Sequence, residues 1–520
     1  MKEYERTQPA VIKRRTEQGV VTMTRNAVQL VTYADRLAGD VPGLTRLMAS
    51  EPWSGAFGGV HVLPFFTPFD GADAGFDPVD HTQVDPRLGT WEDVAGLGAQ
   101  GDLMVDIIVN HVSSSSAAFK DWCERGRESP HDGMFLTMST VFPDGASEAN
   151  LTKIYRPRPG LPFTPYRVDG ELRLVWTTFT PQQIDIDVAN PVTLRYLDTI
   201  LDAVASSGAD IVRLDSVGYA IKSPGTSSFM TEDTYGFIAE FSEKARARDL
   251  EVLVEGHSYY RRQIEIGHAV DRVYDFALPA LVLHALYTGD ATALHEWLTI
   301  RPDNAVTVLD THDGIGVMDV AADQSNPDSP GLLTPEAIDA LVTTMHAMSG
   351  GTSAAAAGAA DTSLDLYQVN CTFYDALGAD DHAYLAARAI QFFVPGIPQV
   401  YYVGALAGRN DVELLGRTGI GRDINRHYYA RTEIASDLER PVVAALMALC
   451  NFRSEFAVFD GDHVFGMSDD GMTLTLHWSD WRDWAELTVF VSDASVSLTW
   501  SHKGVERHTD DLLSDPPVLL

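Results

Sequence analysis

The stretch Ala209-Asp-Ile-Val-Arg-Leu-Asp-Ser-Val-Gly-Tyr219 reads as a buried strand that ends in charge. Ile211, Val212 and Leu214 are apolar on both faces, as in a parallel strand covered by helices. Arg213 and Asp215 interrupt them two residues apart, so both side chains leave the same face. A charge in such a strand is costly unless it is paired or used. The loop Ser216–Tyr219 follows, which sets Asp215 at the strand's C-terminal end, where (β/α)8 barrels keep their chemistry. Two readings stay open on these residues alone. Asp215 is a nucleophile that Arg213 holds ionised, or the two form a structural ion pair at a strand end.

Outward from this strand, similar apolar runs alternate with helical stretches. Val28–Asp35, Gly59–Phe66 and Leu103–His111 read as the three strands before it. Glu251–Glu255, Val273–Phe276, Ala305–Asp310 and Ile397–Tyr402 read as the four after it, although Pro395 and Pro398 argue against the last. Eight such runs predict an α/β protein built on a (β/α)8 TIM barrel. Two spacings exceed a simple crossover. The predicted organisation is a flexible arm over 1–23, barrel over 24–108, an inserted small domain over 109–189, and barrel again over 190–314. A second insertion spans 315–378, with a mobile loop near Asp361–Gln368, and the barrel closes over 379–458. From 459 to 520 the pattern alternates, as in Leu474-Thr-Leu-His-Trp478, and predicts a C-terminal antiparallel β-domain.

Composition bounds the function. The 520 residues, 45% hydrophobic and 21% charged, are those of a globular protein with a large core. Lys and Arg number 38 against 73 Asp and Glu, a net charge of −35. So acidic a surface repels nucleic acid and anionic membranes, so neither is expected as a partner. Acidity of this degree also fits adaptation to salt. Cys123, Cys371 and Cys450 show no disulfide or zinc spacing, which points to a reducing cytoplasm. The start lacks the apolar core of a signal peptide, and Met23 is a candidate for the natural start. No apolar run reaches membrane-spanning length.

Polar residues gather where the apolar runs end: Asp106, Asn110 and His111; Arg213 and Asp215; Glu255 and His257; Asp310, His312 and Asp313. Cleaving a glycosidic bond with retention needs a carboxylate nucleophile and a carboxylic acid ~5–5.5 Å apart. The acid must be kept protonated by burial or by a like charge. Asp215 beside Arg213 suits the ionised partner and Glu255 the protonated one. Asp313 could grip sugar hydroxyls, with His111 and His312 as donors. Divalent-metal binding by the same acids is the competing reading, disfavoured by the adjacent cations; no metal or other cofactor is expected.

At these residues the sequence resembles the α-amylase family of retaining α-glucoside enzymes. Asp106–His111, Arg213–Asp215, Glu255 and His312–Asp313 match its four signature regions in order. Within the family it looks like the sucrose phosphorylases, from about Val28 almost to the end. The stretches Leu63–Asp77, Ile154–Phe163, Phe179–Asp187, Leu364–Asn370, Pro398–Gly404 and Gly421–Tyr428 carry that likeness. The resemblance implies Asp215 as nucleophile, Glu255 as acid/base and Asp313 as transition-state stabiliser. It implies that Asp73 and Arg422 hold the glucosyl unit with His111, Arg213 and His312, over an apolar platform of Phe76 and Phe179. Tyr155, Arg158, Gln183, Tyr219, His257, Leu364, Asp365, Tyr367 and Gln368 would line the acceptor side. The implied partners are sucrose, inorganic phosphate, glucose 1-phosphate and fructose, and a homodimer is compatible. Related phosphorylases of sucrose 6-phosphate, glucosylglycerol or glucosylglycerate, a hydrolytic or transferring α-glucosidase, and an inactive sugar-binding protein are the alternatives.

Overall fold

The computed structural model describes residues 24–157, 160–323, 326, 328–357 and 368–519, preceded by the paired two-residue strands Arg15–Thr16 and Gly19–Val20. The rest of the arm predicted for 1–23, most of the loop near Asp361–Gln368, and the predicted site residues Arg158, Leu364, Asp365 and Tyr367 lie outside the described residues.

Eight parallel strands close into a barrel in sequence order. They are β1 (Gln29–Thr32), β2 (Gly59–Val62), β3 (Asp102–Ile108), β4 (Ile211–Asp215), β5 (Glu251–Val254), β6 (Arg272–Asp275), β7 (Ala305–Thr307) and β8 (Ile397–Tyr401). Every residue of β4 is buried. Inside the barrel, Met104, Ile211, Leu253, Val306 and Ile397 form an apolar layer with Tyr274 and Phe276. A polar layer lies above it, where Arg213 stands level with Asp106 of β3 in the parallel register. The outward residues pack on the helices. The helix Pro191–Ser206 shows how these form: Asn190 caps it by accepting from the Val192 N–H at 2.9 Å, and Pro191 opens it. It buries Leu197, Ile200, Leu201 and Val204, and the chain turns away at Gly208 (φ 77°).

The structure redraws two strands. The run expected over Leu103–His111 breaks after Ile108 and restarts as His111–Ser113, which pairs antiparallel with Gln183–Asp185 of the inserted segment. The chain thus leaves the barrel at the point where His111 must face inward. β8 survives Pro398, which has no N–H for the ladder. Opposite it, the Thr307 carbonyl accepts from the Gln391 side-chain amide at 2.9 Å, and the same amide bonds the Gln399 carbonyl at 2.8 Å. A buried side chain supplies the donor that proline lacks.

The segment after β3 carries the hairpin Phe163–Val168/Glu171–Trp176, turned by Asp169 and Gly170 at positive φ. It has its own core of Leu136, Val141, Phe142, Ile154 and Trp176. Lys222 ties this segment to the barrel. Its buried ammonium lies 2.6 Å from Asp185 Oδ2 and 2.7 Å from Asn110 Oδ1, and bonds the Tyr219 carbonyl. After β7, Ile315–Gly316 pairs with Gln368–Val369 across the second insertion, which also holds the helix Pro335–Met348. Five antiparallel strands over 462–509 end the chain; Leu474, Leu476 and Trp478 face inward on alternate positions, and the Trp478 indole donates to the Phe393 carbonyl at 2.7 Å. Among the described residues, no helix is long and apolar enough to cross a membrane.

Candidate active site

The C-terminal ends of the barrel strands enclose a pocket of about 120 Å³. Asp215, Glu255 and Asp313 all reach it, from the end of β4, the residue after β5 and the loop after β7. Arg213, 2% exposed, lies beneath them. One of its terminal nitrogens bonds Asp106 and, at 3.1 Å, Asp215 Oδ1; the other is 2.9 Å from Glu255 Oε2. Asp215 and Glu255 are thus held side by side on different nitrogens of one guanidinium, the pairing of two carboxyl groups that retaining double displacement uses.

Arg213 is thus shared among three acids. Burial by itself raises Asp106, but Arg213 and then His61, 3.0 Å away, hold it down at about 2. Asp215 moves the other way: burial first, then the Glu255 charge, push its carboxyl well up, against the pull of Arg213. The pull of Arg213 on Asp215 is shared with two other acids. Ser216 also separates the two groups. Its hydroxyl donates to Asp215 at 2.9 Å and its N–H to Glu255 at 3.2 Å, a double reach that its left-handed backbone (φ 55°) permits.

Asp313 is the ionised member. Burial raises it, yet Arg422, His312, Arg426 and His257 together hold it far below the usual carboxylate range. Arg422 lies 2.8 Å from Asp313 Oδ1 and 3.2 Å from Asp73 Oδ2, bridging the acids on the far wall. Asp73 (φ 50°) and Ala74 (φ 53°) both take left-handed backbone in the turn that aims Asp73 inward. His312 stacks on Phe76, with centroids 4.8 Å apart and planes 9° apart, and burial drives its imidazole down to about 3. His111 is lowered too, chiefly by burial; its Nε2 sits 2.8 Å from the Phe76 carbonyl and 3.0 Å from the Gln183 amide nitrogen. Both rings are therefore neutral hydrogen-bonding groups beside the charged walls. Phe179 closes on His111 edge-on at 5.5 Å.

On the outer side, Tyr155, Phe229 and Tyr219 form an aromatic cluster with successive centroids 4.7 Å apart. His257 lies flat on Phe276 at 3.6 Å, with Gln368 3.3 Å from its Nε2. A ring nitrogen of His257 and one oxygen each of Glu255 and Asp313 fall within 4.8 Å of one another, a donor set that could take a cation. Each of those carboxylates already carries a guanidinium, which a metal ion would have to displace.

The structure thus gathers every predicted site residue that it describes into one pocket or its floor. Sequence reasoning missed Ser216, Phe229, Arg426 and Asp319. Arg426, buried and 3.5 Å from Asp73, had a signal in the Gly421–Tyr428 stretch, where a second arginine follows Arg422. The others act through backbone angle or distant contacts and had none.

A barrel of this topology with three acids at its mouth defines a class, and comparison supports it. The family description "Alpha amylase, catalytic domain" matches residues 55–272, and the chain belongs to the α-amylase family. Within it the chain groups with the sucrose phosphorylases. It is 53% identical over 504 residues to a sucrose phosphorylase of Bifidobacterium adolescentis, covering 95% of this chain and 100% of that one. It is 56% identical over 478 residues to a sucrose phosphorylase of Agrobacterium vitis, covering 92% and 97%. The crystal structure of sucrose 6F-phosphate phosphorylase from Thermoanaerobacter thermosaccharolyticum, 34% identical, superimposes with a TM-score of 0.85 over 94% of this chain and 98% of that one. The protein is accordingly an enzyme of the glycosyl-transferring phosphorylase type.

Proposed function

We propose that the protein catalyses the reversible phosphorolysis of sucrose to α-D-glucose 1-phosphate and fructose. The observation that carries this reading is the Asp215–Arg213–Glu255 arrangement, with Asp313 ionised opposite it. The glucosyl unit sits between Phe76 and the Asp73–Arg422 wall. Glu255 gives its proton to the glycosidic oxygen, and fructose leaves as Asp215 attacks the anomeric carbon. The bond to fructose breaks as the bond to Asp215 forms, giving a β-glucosyl ester. Asp313 stabilises the cationic character of the sugar ring between the two. An oxygen of phosphate then attacks from the opposite face, its proton passes to Glu255, and Asp215 is released. Two inversions give net retention.

Burial and the neighbouring Glu255 charge raise the Asp215 carboxyl, and the proposed mechanism starts with one proton on the acid pair. In the reactive complex that proton sits on Glu255. The acceptor side must offer donors to an anion, and His257 does so at the pocket wall. Arg158 and Tyr367 are assigned to the same task on sequence grounds. The free thiols of Cys123, Cys371 and Cys450 are in keeping with a cytoplasmic enzyme.

The test is direct. Incubation with sucrose and inorganic phosphate should yield glucose 1-phosphate and fructose in equal amounts. Free glucose as the only glucosyl product would make the enzyme a hydrolase. Faster phosphate-dependent release from sucrose 6-phosphate, glucosylglycerol or glucosylglycerate would reassign the donor.

A further inference from the structure

His257 is oriented by a residue that lies outside the pocket lining. Asp319 sits in the one-turn 3-10 helix Met318–Val320, after β7, and is fully buried. Its Oδ2 is 3.1 Å from His257 Nδ1. Its Oδ1 accepts from the Ser258 N–H at 3.0 Å and from the Gln263 side-chain amide at 3.1 Å. A carboxylate out of water is costly unless its oxygens are bonded, and here both are. The bond to Nδ1 makes that nitrogen the donor within the fold and turns Nε2 toward the pocket. Phe276, stacked on the ring at 3.6 Å and 12°, removes the remaining rotation.

We propose that Asp319 is a positioning residue for the phosphate half-reaction, fixing His257 so that Nε2–H is the donor offered to phosphate. This rests on the phosphorolysis reading above.

The chemistry follows from tautomers. With Nδ1–H committed to Asp319, a neutral His257 would show phosphate a lone pair, and only the imidazolium shows it a proton. The groups facing His257 favour that form. Burial lowers it, but Asp319, Glu255 and Asp313 outweigh burial, and its pKa is raised. Water needs no such donor to attack the glucosyl ester. Asp319 therefore bears on the choice of phosphate over water, and on its pH dependence.

Asp319→Asn is the variant that reads this out. The Asn oxygen must face the two donors Ser258 and Gln263, so its NH2 turns to His257 and donates to Nδ1. The ring then offers a neutral Nε2–H and loses the carboxylate that favoured its cation. Glucose 1-phosphate and glucose arise from the same glucosyl-enzyme, so their ratio is independent of how fast sucrose reacts. That ratio, measured at fixed phosphate, should fall by about tenfold at neutral pH, as expected when a charged donor becomes neutral. In the parent enzyme the ratio should decline as pH rises through the raised pKa of His257, and in the variant that decline should move to lower pH. A double-mutant cycle with His257→Gln should show that Asp319→Asn adds little once the imidazole is gone. An unchanged ratio and pH profile in folded Asp319→Asn would overturn the proposal. So would an equal loss of both products, which marks a purely structural role. Should Asp319→Asn not fold, His257→Gln alone must lower the ratio, and an unchanged ratio there defeats the proposal. If the parent enzyme makes no glucose 1-phosphate, the phosphorolysis reading fails first, and the two failures are distinct.

Discussion

The proposed nucleophile Asp215 is held against what stability alone would favour. Burial and the Glu255 charge raise its carboxyl pKa above the ordinary value near ~3.9 that it has in the unfolded chain. Between those two values the folded state binds more protons than the unfolded one, so stability falls as pH rises through that window. An asparagine has no proton to lose. Asp215→Asn should therefore melt higher than the parent at pH 7–8, and the gain should shrink toward pH 4. Its sucrose turnover should be lost, because no ester can form. Thermal melts across this range decide the point; a neutral-pH loss of stability would show that the carboxylate contributes more to folding than it costs. At this scale the sequence is a good guide to one kind of residue. Arg213, Asp215 and Glu255 are conspicuous because a charge interrupting an apolar strand has few explanations. Ser216 and Asp319 are not, since a left-handed backbone angle and a partner 62 residues away leave no local mark.

Between elements, the inserted segment and the barrel meet through buried polar contacts. Lys222 draws together Asp185 of the segment, Asn110 past β3 and the Tyr219 carbonyl past β4, and Asp185 also accepts from the Thr178 N–H at 2.9 Å. The pocket wall formed by His111, Tyr219 and Gln183 hangs on this junction. Lys222→Met should leave Asp185 as an unpaired buried charge, at about 3–5 kcal/mol. Adding Asp185→Asn should restore a large part of the lost melting temperature, since the orphaned charge goes with it. Hydrogen exchange should speed up in Phe163–Asp185 before the barrel strands; uniform exchange would place the effect elsewhere. The barrel itself was legible because parallel strands repeat one signal, a short apolar run with helix on either side. β8 looked doubtful because proline argues against a strand, and the Gln391 amide that compensates lies on a neighbouring helix. The break in β3 was hidden for a similar reason. His111–Ser113 is as buried as the strand before it, and its pairing with Gln183–Asp185 sets it apart.

Across the whole molecule, the charge of −35 opposes the entry of an anionic acceptor. Sucrose is neutral and is indifferent to that field. The two interactions that phosphate meets have different reach. His257 lines the pocket on the side proposed for the acceptor, and salt screens such buried contacts little. The carboxylates of the outer surface act from far away, and their effect depends on the Debye length, ~30 Å at 0.01 M salt and ~8 Å at 0.15 M. Raising sodium chloride from about 0.01 M to about 0.15 M, the span of those two screening lengths, should therefore lift the long-range repulsion and leave the local attraction in place. KM for phosphate should fall several-fold while KM for sucrose holds. Higher salt should also leave activity and melting temperature level or raised, because screening relieves repulsion within the acidic surface. The paired measurement matters more than either alone. A phosphate KM that rises with salt would mean that the pocket cations, not the surface acids, govern approach. Equal changes for both substrates would mean that salt acts on the fold.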